Sequence, residues 1–194
     1  MSIGESWGRI EAWLRVSASE ALSELEGPAT RESLEKASAI VGELPEDYRA
    51  LVQIHDGVVA PQYGLGIFQG FVLHSVEGAL RARGVMLDAR RQNAAQIDVD
   101  AAMSPDPGVR QAWWHERWLP IAVSADDSRT LIFLDLDPAP GGRRGQLVRH
   151  VVDMDKLPII AGSVAEWVER AADAMEHGEV AVERDGDLIS LVWP

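Results

Sequence analysis

Four pairs of aspartates, each separated by one residue, have the spacing best suited to chemistry. Two carboxylates placed this way can share Mg²⁺ or Mn²⁺, so Asp135 and Asp137 are candidates for a metal or nucleotide-sugar site. The other pairs are Asp98 with Asp100, Asp153 with Asp155, and Asp185 with Asp187. Because the spacing recurs throughout an acidic chain, it has little specificity, and we predict no metal site. A metal-dependent enzyme that uses Asp135 and Asp137 is the least favoured alternative.

Motifs for other catalytic chemistry are incomplete. The five histidines are scattered, and His115-Glu116 lacks the second histidine of the H-E-x-x-H zinc motif. No G-x-S-x-G serine-hydrolase pattern occurs, and the glycines of segment 64–70 depart from the dinucleotide fingerprint. Segment 141–145 offers glycines and two arginines to a phosphate, but it lacks the P-loop lysine, so we favour an exposed loop. We therefore predict no catalytic residue and no cofactor.

Charge restricts the partners that the protein can bind. The 194 residues include 18 basic and 31 acidic side chains, a net charge of −13. Nucleic acids and anionic membranes are bound by basic surfaces, so the charge argues against both partners. Most of the acidic excess lies in residues 1–60 and 121–194. These side chains form either solvated helix faces and turns or one acidic surface, which would attract a basic protein partner.

Composition and local sequence also predict the protein class. A chain of 194 residues fits one domain, and 46 % hydrophobic and 25 % charged residues are typical of a globular protein. The absence of cysteine excludes disulfides and thiolate sites. The first residues lack a basic segment followed by an apolar run, and proline and glycines interrupt the apolar segment 58–73. We expect a cytoplasmic domain without a signal peptide or membrane span.

Hydrophobic spacing predicts an α+β fold, with a mixed, mostly antiparallel sheet between N-terminal and C-terminal helices. Three N-terminal helices are expected, which begin at Ser6, Thr30 and Pro45. The later expected elements are strands at 65–68 and 70–74, a helix at 76–87, a loop at 88–108, a helix at 109–118, a hairpin of 119–124 and 130–136, a strand at 147–152, a helix capped by Ser163 and Glu166, and a terminal hairpin within 179–193 around Asp185-Gly186-Asp187. The expected core includes Leu51, Val52, Leu131, Phe133, Trp167 and Val168.

Three residues near the expected central hairpin are candidates for partner binding. Trp114 and Trp118 are four residues apart and would share the buried face of the helix at 109–118, whereas Trp113 would lie about 100° away. Tryptophan is enriched at binding hot spots, and Asp126 and Asp127 lie in the turn of the hairpin. We predict that Trp113, Asp126 and Asp127 contact the partner. The alternative is that Trp113 covers the core and both aspartates are solvated.

Several motifs, taken in order, resemble the SUKH superfamily of fungal cell-wall (glucan synthesis) regulators and bacterial toxin-immunity proteins. The segment 44–51 reads L-P-E-D-Y-R-A-L and leads to a polar turn at 55–57. The segment 7–14 resembles the opening helix, 118–122 and 131–138 resemble the family's strands, and 163–168 resembles its last helix. The resemblance covers about residues 5–176 of a single domain at 1–194. Its structural motif residues here are Leu44, Pro45, Asp47, Tyr48, Leu51, Asp56, Gly57, Asp135, Asp137 and Trp167.

The resemblance implies protein binding rather than catalysis. Similar members carry an acidic residue and a glycine in the turn before the L-x-x-L-D-L-D strand, whereas the turn at 125–129 has no glycine here. Our first hypothesis is an immunity-type protein that neutralises a basic toxin domain through its acidic surface. The alternative is a regulatory or scaffold protein of cell-wall or polysaccharide synthesis.

Overall fold

An antiparallel sheet organises the computed structural model, which describes residues 1–58, 66–94, 98–185 and 188–194. The described helices are α1 Ile3–Ser17, α2 Arg31–Val41, α3 Glu46–Val52, α4 Val76–Ala94 and α5 Val164–Glu176, with a 3₁₀ helix at Ser19–Glu24. The described strands are β1 Phe71–Leu73, β2 Ser104–Pro105, β3 Trp118–Ser124, β4 Thr130–Asp135, β5 Gln146–Val151, β6 Lys156–Leu157, β7 Ile159–Ala161, β8 Ala181–Asp185 and β9 Leu188–Val192. This element order confirms the predicted α+β class.

Antiparallel pairing connects the main strands in the order β1-β3-β4-β5-β7. The register places Trp118 opposite Asp135, and Asp135 opposite Gln146 on the next strand. The short strands β2 and β6 pair in parallel, and β8 and β9 form the expected terminal hairpin. The Asp-Gly-Asp turn predicted for that hairpin lies partly outside the described residues. Within the described residues, no helix is long and apolar enough to cross a membrane.

Both faces of the sheet are buried. Successive residues of β4 point to opposite sides, and those from Leu131 to Asp135 are buried on either side. Ile132 and Leu134 pack into the cluster formed with α1, α2, α3 and α5, and we call this side the helix face. Leu131 and Phe133 pack into a second cluster that contains Trp113, Trp114 and Trp118, and we call this side the tryptophan face. The six core residues predicted from sequence are all buried and are distributed over the two faces.

The helices on the helix face follow the predicted hydrophobic stripes, with corrections at their ends. Ser2, not Ser6, caps α1: its side chain accepts from the backbone N–H of Glu5, whose carboxylate bonds back to Ser2. Ser6 is buried inside the helix instead. The cap prediction was wrong because the apolar stripe begins a full turn earlier, at the buried Ile3.

Thr30 caps α2 as predicted, whereas Pro45 lies just before α3 rather than inside it. Ser163 caps α5 and accepts a hydrogen bond from the backbone N–H of Glu166. The Glu166 carboxylate accepts from the backbone N–H of Gly162 at 2.7 Å, which replaces the reciprocal bond of the predicted capping box. The positions of these helices were therefore predicted well, whereas the residues at which they begin were predicted less accurately.

Three predictions for the middle of the chain were wrong. Helix α4 continues to Ala94, so the first part of the predicted loop at 88–108 is helical, and residues 95–97 lie outside the described residues. The segment 109–117 consists of turns rather than a helix, and Trp118 begins β3. Segment 66–70 is a turn rather than a strand, because Gly66 packs so closely on Gly70 that a Cβ would lie 2.6 Å from it. Leu65 of that predicted strand lies outside the described residues.

Candidate protein-binding site

The turn between β3 and β4 carries two predicted partner-binding aspartates, and both are exposed. Ser124 Oγ accepts hydrogen bonds from the backbone N–H of Asp126 at 3.2 Å and of Asp127 at 3.3 Å. The Asp127 carboxylate accepts from the backbone N–H of Arg129 at 2.8 Å and from the Thr130 hydroxyl at 3.2 Å. Asp127 therefore stabilises the turn. Within the described residues, the Asp126 carboxylate accepts no hydrogen bond of this kind.

Trp113 is mostly covered by other residues. Its exposed fraction is 7 %, and its ring packs edge-on against the ring of His150, with 5.2 Å between the centroids. Its backbone N–H donates to Asp100 Oδ1 at 2.8 Å. Asp100 also accepts from the Arg90 guanidinium, with Nε at 3.2 Å. These contacts match the alternative in which Trp113 covers the core, and the role of Trp113 in partner binding stays a prediction.

A cavity of about 410 Å³ lies beside Trp113 on the tryptophan face. Its other lining residues are Asn93, Val99, Ala102, Met103, Val152, Asp153, Met154 and Asp155. Val99 and Met103 are almost completely buried, whereas Met154 is 56 % exposed. Asp153 and Asp155 are also exposed. The cavity therefore has an apolar interior and an acidic rim.

The cavity and the aspartate turn lie next to each other. The carbonyl of Arg129, at the end of the turn, accepts a hydrogen bond from the backbone N–H of Val152 at 3.0 Å. The Arg129 guanidinium also forms an ion pair with Asp153. The structure thus brings Trp113 and the turn to one end of the sheet through segment 152–153. Sequence reasoning missed this segment, whose only signal was the unspecific Asp153-x-Asp155 spacing.

Asp135 and Asp137 have different environments. Asp135 is completely buried and accepts hydrogen bonds from the Trp118 indole at 3.0 Å, the Gln146 amide at 3.0 Å and the backbone N–H of Asp137 at 3.1 Å. Burial raises the pKa of Asp135, although these hydrogen bonds oppose the rise. Asp137 is partly exposed and pairs with Arg110 at 2.9 Å, and this contact lowers the pKa of Asp137.

Donors from three residues thus hold the Asp135 carboxylate in place, so this side chain has a structural role. Among the described residues, no three His, Asp or Glu side chains are grouped so that they could hold a metal ion.

Residues of the L-P-x-D-Y motif connect helix N-termini. Asp47 Oδ1 accepts from the backbone N–H of Tyr48 at 2.9 Å, and its Oδ2 accepts from the backbone N–H of Ala165 at 3.1 Å. One carboxylate therefore satisfies free N–H groups at the starts of α3 and α5. Tyr48 is completely buried, and this burial raises the pKa of its phenol. The motif holds two helices together, and neither of its acidic residues, Glu46 and Asp47, lines the cavity beside Trp113.

The polar turn after α3 is also structural. Asp56 Oδ1 accepts from the backbone N–H of Val76, the first residue of α4, at 2.7 Å. Burial raises the pKa of Asp56. Gly57 has a φ of +88°, and a Cβ there would lie 2.4 Å from the backbone nitrogen of Ser75. Only glycine allows this close approach between the turn and the start of α4.

The acidic ends of the chain meet, because α1 packs against α5. Carboxylates on these two helices are Glu5, Glu11, Glu166, Glu169, Asp173 and Glu176. Basic groups pair with most of these carboxylates: Arg9 lies 2.6 Å from Asp173 and 2.5 Å from Glu176, Arg15 lies 2.7 Å from Glu11, and Arg170 pairs with Glu166. The two acidic ends of the chain therefore come together, and an acidic binding surface on α1 and α5 stays a prediction.

Family comparison accounts for this arrangement of motifs. The model of the SMI1/KNR4 family, also designated SUKH-1, matches residues 28–170. The chain belongs to this family. The match begins just before α2 and extends into α5, so it includes the motif residues Asp47, Tyr48 and Asp135. It also includes Trp113, the aspartate turn and the cavity.

Three fungal proteins are similar to this SUKH-1 chain over almost its whole length. The cell wall biosynthesis/cell cycle regulator smi1 of Schizosaccharomyces pombe is 28 % identical, over 98 % of this chain and 40 % of its own length. The glucan synthesis regulatory protein of Neurospora crassa is 24 % identical, over 97 % of this chain and 41 % of its own length. The cell wall assembly regulator SMI1 of Saccharomyces cerevisiae is 21 % identical, over 94 % and 42 %. The chain thus spans about two fifths of these curated relatives.

Proposed function

We propose that this SUKH-1 chain is a non-enzymatic regulatory domain that binds another protein and takes part in the control of cell-wall or polysaccharide synthesis. The observation that carries the proposal is the similarity to proteins named as cell-wall and glucan-synthesis regulators, which extends over 94–98 % of the chain. Because the chain spans only two fifths of those proteins, the shared unit is a domain rather than the whole regulator.

The positions of the acidic residues support a role without catalysis. Three carboxylates of the family motifs, those of Asp47, Asp56 and Asp135, each accept at least one hydrogen bond from a backbone or side-chain donor of the fold, and a fourth, that of Asp137, pairs with Arg110. A catalytic carboxylate needs a free oxygen that faces the substrate. These three residues are used to join elements of secondary structure instead.

Charge supports a basic protein as the partner. The net charge of −13 favours encounter with a positively charged protein and disfavours nucleic acid. Asp126 and Asp127 are exposed at one end of the sheet, and the carboxylates of α1 and α5, most of which pair with basic groups, are the second acidic candidate. We place partner binding at the first of these, because the cavity beside Trp113 adjoins it.

Toxin immunity is the second candidate function. The same negative charge favours it, because a toxin that acts on nucleic acid is basic at its working surface. The names of the fungal relatives support regulation instead, so we rank immunity below it.

Deletion of the gene in the host that encodes the chain tests the proposal. Regulation predicts changed wall-polymer content and greater sensitivity to agents that damage the wall, with both restored by the wild-type gene. Immunity predicts a normal wall and death only when neighbouring cells deliver the toxin. Restoration by a chain that carries Asp137→Asn is also expected, since the enzyme alternative requires the Asp135 and Asp137 pair. Failure of that variant, with normal amounts of folded protein, would favour the enzyme.

A further inference from the structure

We propose that the cavity beside Trp113 binds one lysine or arginine side chain of the partner protein. The inference rests on the proposed function, because it takes the ligand to be part of a protein. It adds the location of the site and the chemistry of the group that enters it. Lysine and arginine combine an apolar stem with a cationic head, and the cavity presents matching surfaces for both parts.

The inner walls suit the apolar stem. Val99, Met103 and Trp113 are each no more than 7 % exposed, and they line the cavity together with Val152. Methionine adapts its shape to different apolar groups, and tryptophan attracts cations through its ring. A volume of about 410 Å³ is in the range of small-ligand pockets and leaves room for one long side chain.

The rim suits the cationic head. The charged residues that line the cavity are Asp153 and Asp155, and both are negative and exposed. Asp153 already pairs with Arg129. Asp155 makes no ion pair with any basic residue in the described part of the chain, so its carboxylate is the one we assign to the partner's cation.

Hydrogen bonds hold two walls of the cavity in place. Asp100 holds the backbone of Trp113 at 2.8 Å and is itself held by Arg90. On the other side, the backbone N–H of Ser104 donates to the carbonyl of Asp155 at 2.8 Å. Parallel pairing of β2 with β6 extends this contact. A preformed site loses less conformational entropy on binding, so the binding of even a single side chain should be measurable.

A peptide titration tests the cavity directly. The probe is a blocked pentapeptide with a central arginine between leucines and glycines, and its control replaces arginine with the neutral isostere citrulline. Each is added to the full ¹⁵N-labelled chain up to millimolar concentration, and amide shifts are followed by NMR. We expect the arginine peptide to shift amides of 98–103, 113 and 152–155, and the citrulline peptide to bind about fivefold more weakly, as for loss of one charge pair.

Two variants with the same change of charge separate the cavity from general electrostatics. Asp155→Asn removes the rim carboxylate and is expected to weaken the arginine peptide about fivefold. Glu43→Gln removes an exposed carboxylate that belongs neither to the cavity nor to the aspartate turn, and it is expected to leave the affinity unchanged. Met154→Ser, at an exposed wall position, is expected to weaken both peptides to a similar extent.

Three results would overturn the proposal: no shifts at the cavity with millimolar arginine peptide, equal affinity for the arginine and citrulline peptides, or equal effects of Asp155→Asn and Glu43→Gln. Equal peptide affinities would identify a pocket for an apolar anchor, and equal variant effects would indicate unspecific attraction to the acidic protein. None of these results affects the regulatory function, which the gene deletion tests. Conversely, a normal wall after deletion would reject regulation and leave a positive peptide titration valid.

Discussion

The two faces of the central sheet are both buried but are covered in different ways. On the helix face, Trp7 stacks on Phe68 at 5.2 Å and Phe68 contacts Trp167 at 4.8 Å, and the cover comes mainly from regular helices. On the tryptophan face, Trp118 stacks on Phe133 at 4.3 Å, and much of the cover is the irregular segment 98–117. The same strand, β4, contributes side chains to both.

The difference follows from backbone hydrogen bonding. A helix satisfies the N–H and C=O groups of its interior, so on the helix face side-chain acceptors such as Asp47 are needed mainly at the helix ends. An irregular segment needs partners from elsewhere. Asp100 accepts from the backbone N–H of Trp113, Asp135 accepts from that of Asp137, and Gln146 donates to the carbonyl of Gly108 at 3.1 Å. Polar residues are therefore buried on the tryptophan face for structural reasons, and the candidate cavity lies where this cover is least regular.

The largest difference between the faces is expected in the free energy of unfolding that is lost when a tryptophan is replaced by alanine. Trp167 is completely buried in the helix-face cluster, so Trp167→Ala is expected to reduce the free energy of unfolding by about 3–5 kcal/mol. Trp113→Ala is expected to cost about 2 kcal/mol, because one side of its ring already borders a cavity. Urea unfolding at neutral pH measures both values. Equal costs, or a loss below about 1 kcal/mol for Trp167→Ala, would contradict the comparison.

The same difference explains what the sequence could predict. Helix α5 and the β3–β4 hairpin follow periodic patterns within short segments, so their positions were predicted to within a few residues. The tryptophans of 109–118 also fit a helical spacing, but the segment is held by Asp100, which is distant in sequence from Trp113. Long-range hydrogen bonds of this kind leave no local pattern. The turn of Asp126 and Asp127 was predicted, whereas the cavity was not, because its walls come from three separate segments.

A second test concerns the buried carboxylate of the tryptophan face. Asp135→Ala leaves the Trp118 indole and the backbone N–H of Asp137 without their acceptor and the Gln146 amide with the Gly108 carbonyl alone, so it is expected to cost about 3 kcal/mol of stability. Asp137→Ala is the matched control, with an expected cost below about 1 kcal/mol, because its pairing with Arg110 is at the surface. Chemical unfolding of the two variants provides the comparison. A larger cost for the control would show that the two roles are reversed.

We expect acid to reduce the free energy of unfolding through His150 on the tryptophan face. Burial lowers the pKa of His150 to about 4, and the pKa of His74 is also lowered to about 4 by burial. Because unfolded histidine titrates near pH 6.5, the unfolded state binds more protons between the two values. Stability is therefore complete above about pH 6.5 and falls as the pH decreases towards 4.

Each histidine is expected to account for about 2 kcal/mol of the loss between pH 7.5 and pH 5. His150→Phe keeps an aromatic ring beside Trp113 and Trp114 and is expected to remove about half of this loss, with the His74 share remaining. Unfolding curves of His150→Phe and His74→Phe at both pH values give the part of the stability loss that each histidine contributes. An unchanged pH dependence in His150→Phe would exclude this residue as a source of acid sensitivity.

The smallest effects are expected in the turn, where the two aspartates should separate stability from binding. Asp127→Asn weakens the charged acceptor for the backbone N–H of Arg129 and the Thr130 hydroxyl, so it is expected to cost about 0.5–1 kcal/mol of stability. Asp126→Asn should change stability by less than about 0.5 kcal/mol, because its carboxylate is not part of that network. With the natural partner, both changes should slow association at low salt, and the difference should disappear at high salt. Association rates that depend on salt but on neither substitution would place the binding surface elsewhere, with the carboxylates of α1 and α5 as the remaining acidic candidate. Rates that do not depend on salt would exclude an acidic binding surface altogether.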